Sequence, residues 1–333
     1  METIDFVIAW VDGGDPVWQA EKAKYDTTVD ETQDVIAARY RDWEIIRYWF
    51  RSVETYAPWV RRIHFVTWGH LPEWLNTDHP KLHVVRHEDY IPAEYLPTFN
   101  SHTIELNFHR IEGLAEQFVY FNDDMILTAP VKETDFFKKG LPCDTFALDA
   151  VFFAKDSAGA YNGNDLELIN QHFNKDEMQK KFFFRKWFKL RYGIRNLYRT
   201  VVLRPWHWFP GFHYDHLASS FLKSVLEEVW EKEEETLRET CRDRFRSKRN
   251  VNQWIFKYWN LASGNFYPRR ANFGKCFHLK KRLPRQLKQA ISSRACSMVC
   301  INDTARTENF ERLKREIHDR WEKVLPEKCS FEK

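Results

Sequence analysis

The sequence predicts an α/β fold: a mostly parallel sheet with helices on both faces, followed by a mainly helical C-terminal portion. Three observations carry this. From Ile4 to Leu127 short apolar runs alternate with amphipathic segments, the order that builds parallel strands joined by crossover helices. The apolar run Phe118-Val-Tyr-Phe121 breaks into Asn122-Asp-Asp124 and resumes as Met125-Ile-Leu127, as a buried strand does when it delivers carboxylates to a sheet edge. From His216 onward the periodicity is largely helical.

The elements follow in order. Ile4 to Val11 reads as a buried strand and Asp12-Gly-Gly-Asp-Pro16 as a turn, with Asp15 as N-cap and Pro16 at the first helical position. Asp42 to Tyr56 reads as a helix stopped by Pro58. Strands are expected at Ile63–Thr67, Leu82–Val85 and Phe118–Phe121, with a helix from Ser101 to Leu114 before the last of these. The C-terminal part predicts helices over His216–Glu235, Asn250–Ala262 and Thr304–Lys323, and a strand over Ser297–Ile301 that ends in Asn302-Asp303. Three segments result: 1–155 as the α/β core, 156–212 as an aromatic and basic insert, and 213–333 as a mainly helical part completing the core.

A formal net charge of +3 in 333 residues gives no global preference for a polyanion, so a nucleic-acid-binding role is set aside and any basic site must be local. The six cysteines form no close Cys-x-x-Cys pair, which argues against a structural zinc site and for free thiols in a reducing compartment. The N-terminus lacks the pattern of a secretory signal, and no apolar run reaches the length of a membrane span. A cytoplasmic location is therefore expected. Between Lys180 and Arg199, Phe183, Trp187, Leu190, Ile194 and Leu197 follow helical spacing while Lys181, Arg185, Lys189 and Arg199 fall away from that stripe. This composition predicts either an amphipathic helix lying peripherally on the inner face of a membrane or a helix packing its stripe on the core.

Adjacent acids repel unless a cation lies beside them, so Asp123 and Asp124 are read as metal ligands for a hard divalent ion that carries substrate phosphates. Either could instead orient an acceptor, and a simple capping turn is the plainer alternative. Asp12, Gly13 and Asp15 follow the first strand; Gly13 permits close backbone approach, and the carboxylates are placed to meet ribose or metal. His216 is a candidate base because imidazole titrates near working pH. Arg246 is a candidate phosphate clamp, since a guanidinium grips two oxygens at once. His109 and Arg110 precede the acidic strand. Asn100 and Ser101 begin the helix before it and are equally well explained as caps. Asn302 and Asp303 complete the set from the C-terminal half, with Asp303 alternatively capping the last helix.

Four stretches of this chain resemble the Stealth family of sugar-phosphate transferases. Ile4-Asp-Phe-Val-Ile-Ala-Trp-Val-Asp-Gly-Gly-Asp-Pro16 resembles its first conserved block. The second is matched by Arg39-Tyr-Arg-Asp-Trp43, Leu96-Pro-Thr-Phe-Asn-Ser101, His109-Arg-Ile-Glu-Gly-Leu114 and Asn122-Asp-Asp124. The third resembles His216 to Tyr258, with Phe245-Arg-Ser247 inside it, and the fourth Cys300-Ile-Asn-Asp-Thr304. The resemblance implies a GT-A-like or Rossmann-like nucleotide-binding core and dependence on Mg2+ or Mn2+. It implies transfer of a sugar 1-phosphate from a UDP-sugar donor to a sugar or lipid-linked oligosaccharide acceptor, with UMP released. The compact length is similar to that of bacterial capsule and exopolysaccharide enzymes of the family. The resemblance places Asp123, Asp124, His216 and Arg246 in catalytic roles. His216 is followed here by Leu-Ala-Ser-Ser where many bacterial relatives have prolines, which leaves His213 as a rival for the histidine's place.

Overall fold

The computed structural model of the chain describes residues 3–26, 42–154, 157–303 and 308–333. The central sheet has five strands in the order β3-β2-β1-β4-β8. They are β1 (Ile4–Trp10), β2 (Ile63–Thr67), β3 (Leu82–Arg86), β4 (Gln117–Asn122) and β8 (Ser219–Leu222). The first four run parallel, with Ala9 opposite Asn122 where β1 meets β4. β8 is antiparallel to β4. Two three-stranded sheets, each with parallel and antiparallel neighbours, flank this core. One joins β10 (Gly274–His278), β11 (Met298–Asn302) and β5 (Met125–Leu127); the other joins β6 (Phe137–Lys138), β7 (Leu141–Asp144) and β9 (Tyr267–Pro268). The sheets taken together are thus mixed, where the sequence predicts a mostly parallel arrangement.

Strand alternation sorts the core. On β4, Val119 and Phe121 enter one apolar cluster with Phe6, Ile8 and the helix Ile46–Tyr56; Phe118 and Tyr120 enter the other, with Val7 and the helices Lys223–Lys232 and Trp254–Ser263. Phe6 and Phe121 lie 4.8 Å apart between ring centroids, and Trp49 packs edge-on to Phe121 at 5.5 Å. The C-terminus is pinned to this layer by the buried Arg51, whose guanidinium holds Glu332 at 2.7 Å.

Several predicted elements are redrawn. The helix expected from Asp42 starts at Ile46, and the one expected over Ser101–Leu114 ends at Leu106. There the buried Asn107 side chain turns back to the Thr103 carbonyl at 2.8 Å, and a short 3₁₀ turn follows. The helix expected from His216 gives way to strand β8, because Phe221 packs on Phe118 across the sheet and Ser219 to Leu222 pair with β4. The last helix runs over Phe310–Val324 behind Asn309, so Asp303 does not cap it; the rest of its expected start, 304–307, lies outside the described residues.

The segment 180–199 is not one helix. An α-helix, Lys175–Phe182, gives way to a wide turn at Phe183–Trp187, then a 3₁₀ turn at Leu190–Tyr192 and a second helix, Gly193–Leu203. Trp187 is fully buried, stacked on Phe146 with centroids 4.6 Å apart, and Phe183 and Leu197 are buried with it. Three of the five stripe residues therefore belong to the core, while Leu190 and Ile194 remain exposed.

Candidate active site

The two-residue turn Asp123-Asp124 lies where the chain leaves the central sheet at the end of β4 and enters the second sheet as β5. This is the carboxyl end of a parallel strand, where ligands bind in open α/β sheets. The Asp124 carbonyl accepts from Ile301 N at 2.8 Å, which ties the turn to β11. Cys300, opposite Met125 in that pairing, then donates its thiol to Asp124 Oδ2 at 3.1 Å. From the other side His216 brings Nε2 to 3.7 Å from the same oxygen. His216 holds a positive φ of 44°, a conformation uncommon outside glycine and asparagine.

Electrostatics separate the two acids. Burial first, then the neighbouring Asp124 and Asp42 carboxylates, push Asp123 up to about 8. Burial also works against charge on Asp124, but hydrogen bonding from His216 and then Cys300 outweighs it and holds this carboxyl below its usual range. His216 is correspondingly raised: burial alone would lower it, and the Asp124 carboxylate overrides that. Cys300 is kept as a thiol, chiefly by burial. Asp124 Oδ1 is buried without a hydrogen-bond partner among the described residues. One ligand atom each from Asp124, His216 and Cys300 lies within 4.8 Å of the others, so these three form a group able to hold a metal ion. Asp123, expected as its second carboxylate ligand, lies outside that group.

His216 also lines a cleft of about 2500 Å³ that carries Ser101, Glu105, Asn122, Arg246 and Asn302 on its walls. Eight Lys or Arg side chains line it against five Asp or Glu, a surplus of three positive charges facing the void. That local surplus suits an anionic ligand in a chain of nearly balanced charge. Arg246 reaches Ser101 Oγ at 2.5 Å, joining two predicted site residues. The buried Glu105, which the sequence reading passed over, accepts from Tyr120 Oη at 3.2 Å. Burial raises it to about 7, with Arg246 and then Tyr120 opposing that rise.

Other predicted residues have different duties. Asp15 caps the helix Pro16–Ala23, accepting from Trp18 N at 2.7 Å. Asp12 accepts from Gly14 N at 2.8 Å, and its own N–H donates to His70 Nε2 at 2.7 Å. The Gly13 carbonyl is taken by Gln19 Nε2 at 2.7 Å. Asp42, raised chiefly by burial and least by Asp12, lies within electrostatic reach of both this turn and Asp123. Asn100 is fully buried and fully used: Oδ1 accepts from His102 N, and Nδ2 donates to the Asp243 carbonyl and to Asn250 Oδ1. It is therefore a brace under the cleft wall. His109 and Arg110 are not brought to the cleft. His109 is buried against Trp230, where burial lowers it to about 3, and Arg110 lies 5.0 Å over the same indole ring. The rival His213 has both ring nitrogens committed, Nδ1 to Asp149 and Nε2 to Asp215, each at 3.1 Å.

With this geometry in place, known proteins give the chain its relations. Stealth protein CR1, conserved region 1, matches residues 2–30, and Stealth protein CR2, conserved region 2, matches residues 39–143. A capsular polysaccharide phosphotransferase WcwK of Streptococcus pneumoniae is 40% identical over 334 residues, covering 100% of this chain and 99% of the relative. This chain belongs to the Stealth family. Another relative, the receptor polysaccharide phosphotransferase WefC of Streptococcus oralis, is 39% identical over 335 residues with 100% of both chains covered. Among solved structures, the galactosyltransferase LgtC in complex with donor and acceptor sugar analogs aligns over 97% of this chain and 95% of its own. Its TM-score of 0.40 at 11% identity is too low to carry an argument. The family's second conserved region thus spans Asp123, Asp124, Ser101 and Glu105, while His216, Arg246 and Cys300 reach the same place from beyond both matched regions.

Proposed function

We propose that this Stealth protein transfers a hexose 1-phosphate, or N-acetylhexosamine 1-phosphate, from a UDP-sugar to a sugar hydroxyl, forming a phosphodiester and releasing UMP. The observation that carries the reading is the Asp124–His216 couple beside a basic cleft. Its setting supports the choice of reaction, because relatives matched end to end are named phosphotransferases. On this reading the central sheet serves as a GT-A-like nucleotide-sugar core. The acceptor is a sugar or lipid-linked oligosaccharide of capsule or exopolysaccharide synthesis, met on the cytoplasmic side.

The chemistry is positioning and charge neutralisation. The acceptor oxygen attacks the β-phosphorus of the donor and the bond from that phosphorus to the bridging oxygen of UMP breaks. The sugar C1–O bond persists, so anomeric configuration is retained. The hydroxyl proton passes to the His216 imidazole, and Asp124 steadies the imidazolium that results. Arg246, held against Ser101, grips phosphate oxygens. A divalent cation held by Asp124 would neutralise diphosphate charge. The Oδ1 atom, without a partner among the described residues, suits a hard ion such as Mg2+ or Mn2+.

The test is incubation with a panel of UDP-sugars, Mn2+ or Mg2+ and an acceptor extract, with nucleotide products separated by chromatography. UMP is expected. UDP without UMP would make the protein a metal-dependent glycosyltransferase and end the proposal.

A further inference from the structure

The broken segment after the helix Lys175–Phe182 leaves apolar side chains uncovered. On the helix Gly193–Leu203, Ile194, Tyr198, Val201 and Val202 recur at helical spacing and all face solvent, while Asn196, Leu197 and Thr200 face the core. Leu190 just before it is 85% exposed and Ile194 is 87% exposed, values that a folding core would not leave. Beyond the helix a loop presents Trp206 and Trp208, 53% and 65% exposed.

That loop is held in place. The buried Lys175 donates Nζ to the Arg204 and Trp206 carbonyls at 2.9 and 2.5 Å. Asn170 brackets Phe209, accepting from its N–H at 2.9 Å and donating to its carbonyl at 3.0 Å. Two indoles are thus held out into water by a pinned backbone, although Phe209 beside them is buried. Charge identifies the occupant. From Gln179 to Tyr214 the sequence carries nine Lys or Arg and no Asp or Glu; of the acids that other elements bring to this stretch, Asp149 pairs with Arg199 and Asp176 with His207, and a basic excess remains. A second copy of this chain meeting the face would set positive against positive. An anionic bilayer meets both demands, taking aromatic side chains at the headgroup level and basic ones at the phosphates.

We propose that the face formed by Leu190, Ile194, Tyr198, Val201, Trp206 and Trp208 docks this protein on an anionic lipid surface. Arg195 and Arg199, on the flank of the same helix, line the cleft, so docking brings the cleft mouth to the membrane. The lipid contact stands apart from the transfer reaction; only the identification of a lipid-linked acceptor there rests on the reading above.

The experiment is flotation of the purified full chain with vesicles of phosphatidylglycerol and phosphatidylcholine, against phosphatidylcholine alone, without sugar nucleotide. The chain is expected to float with the anionic vesicles and to be released by added salt. The exposed-site variant Trp206→Ser/Trp208→Ser, checked for an unchanged melting temperature, should lower partitioning at least about tenfold. A charge variant, Arg185→Glu/Arg191→Glu, should lower it on anionic vesicles alone. Wild-type protein that stays at the bottom of the gradient overturns the proposal whatever the variants do. So does a wild-type dimer in sedimentation that the tryptophan variant converts to monomer, since the face would then belong to a second copy. UMP release in solution would persist in either case, separating this failure from failure of the transferase reading.

Discussion

Two histidines three residues apart meet carboxylates in opposite ways. His213 is held on both nitrogens, between Asp149 and Asp215, and Arg199 at 3.2 Å from Asp149 helps balance that group. His216 reaches one carboxylate oxygen at a longer distance; the other oxygen of that acid has no partner among the described residues, and a thiol crowds the first. The first arrangement has spent its hydrogen-bonding capacity on structure. The second keeps some in reserve on strained backbone, which is how groups that must meet a ligand are held. Raised basicity does not separate them, because acids lift both imidazoles against their burial. Unspent capacity does.

The largest expected effect tests that distinction directly. Asp124→Asn and His216→Asn should each cut UMP release by about 10³-fold with the fold intact. Asparagine tolerates the positive φ at 216, so backbone relaxation does not confound the second variant. His213→Gln should cost less than about tenfold, acting through the cleft wall alone. Rates measured at saturating donor decide the matter; an inactive His213→Gln beside an active His216→Asn would reverse the assignment. A smaller contrast is expected among the arginines. Arg246→Lys should raise KM for the donor about tenfold or more, because one ammonium cannot both hold Ser101 and fork onto phosphate. Arg249→Lys, at an exposed arginine paired with Asp243, should change KM by less than about twofold. Equal effects would mean that the cleft arginine is ordinary surface charge.

How much of this was legible in the sequence depends on what held each residue. The strand ending in Asn122-Asp-Asp124 could be read because burial of β4 is written in consecutive apolar residues. Asp15 was legible as a cap because capping is local. Cys300 carried no such signal: its place beside Asp124 comes from β11 pairing with β5, a contact across more than half of the chain. Glu105 looked like one more polar position on a short helix, and only the packing of Tyr120 over it reveals a buried acid. Strand β8 was hidden because its four residues sit against a strong helical pattern and owe their pairing to β4. His109 and Arg110 misled in the other direction. Sequence proximity to the acidic strand suggested the cleft, yet the short 3₁₀ turn aims them at Trp230. The aromatic stripe of 180–199 was half right in kind, since periodicity finds an apolar face but does not say whether protein or solvent lies opposite it.

The smallest effect sharpens the same comparison through pH. Burial disfavours a charged His213, but its bonds to Asp149 and then Asp215 win and raise it above the ordinary value near 6.5. The folded protein therefore binds that proton more tightly than the unfolded chain. The resulting stability is fully present below about pH 6.5 and is lost as pH rises through the folded value. Asp149 and Asp215 are both held below the usual carboxylate range, so neither titrates in this window. Replacing His213 by Gln keeps two hydrogen-bonding atoms but removes the proton. The melting-temperature gap between wild type and His213→Gln should correspond to about 1 kcal/mol near pH 6 and shrink towards pH 8.5. The titration of His216 is common to both proteins and cancels from the gap. A gap that stays constant, or widens as the solution becomes alkaline, would mean that His213 is held neutral and that its two carboxylate bonds confer no charge-dependent stability.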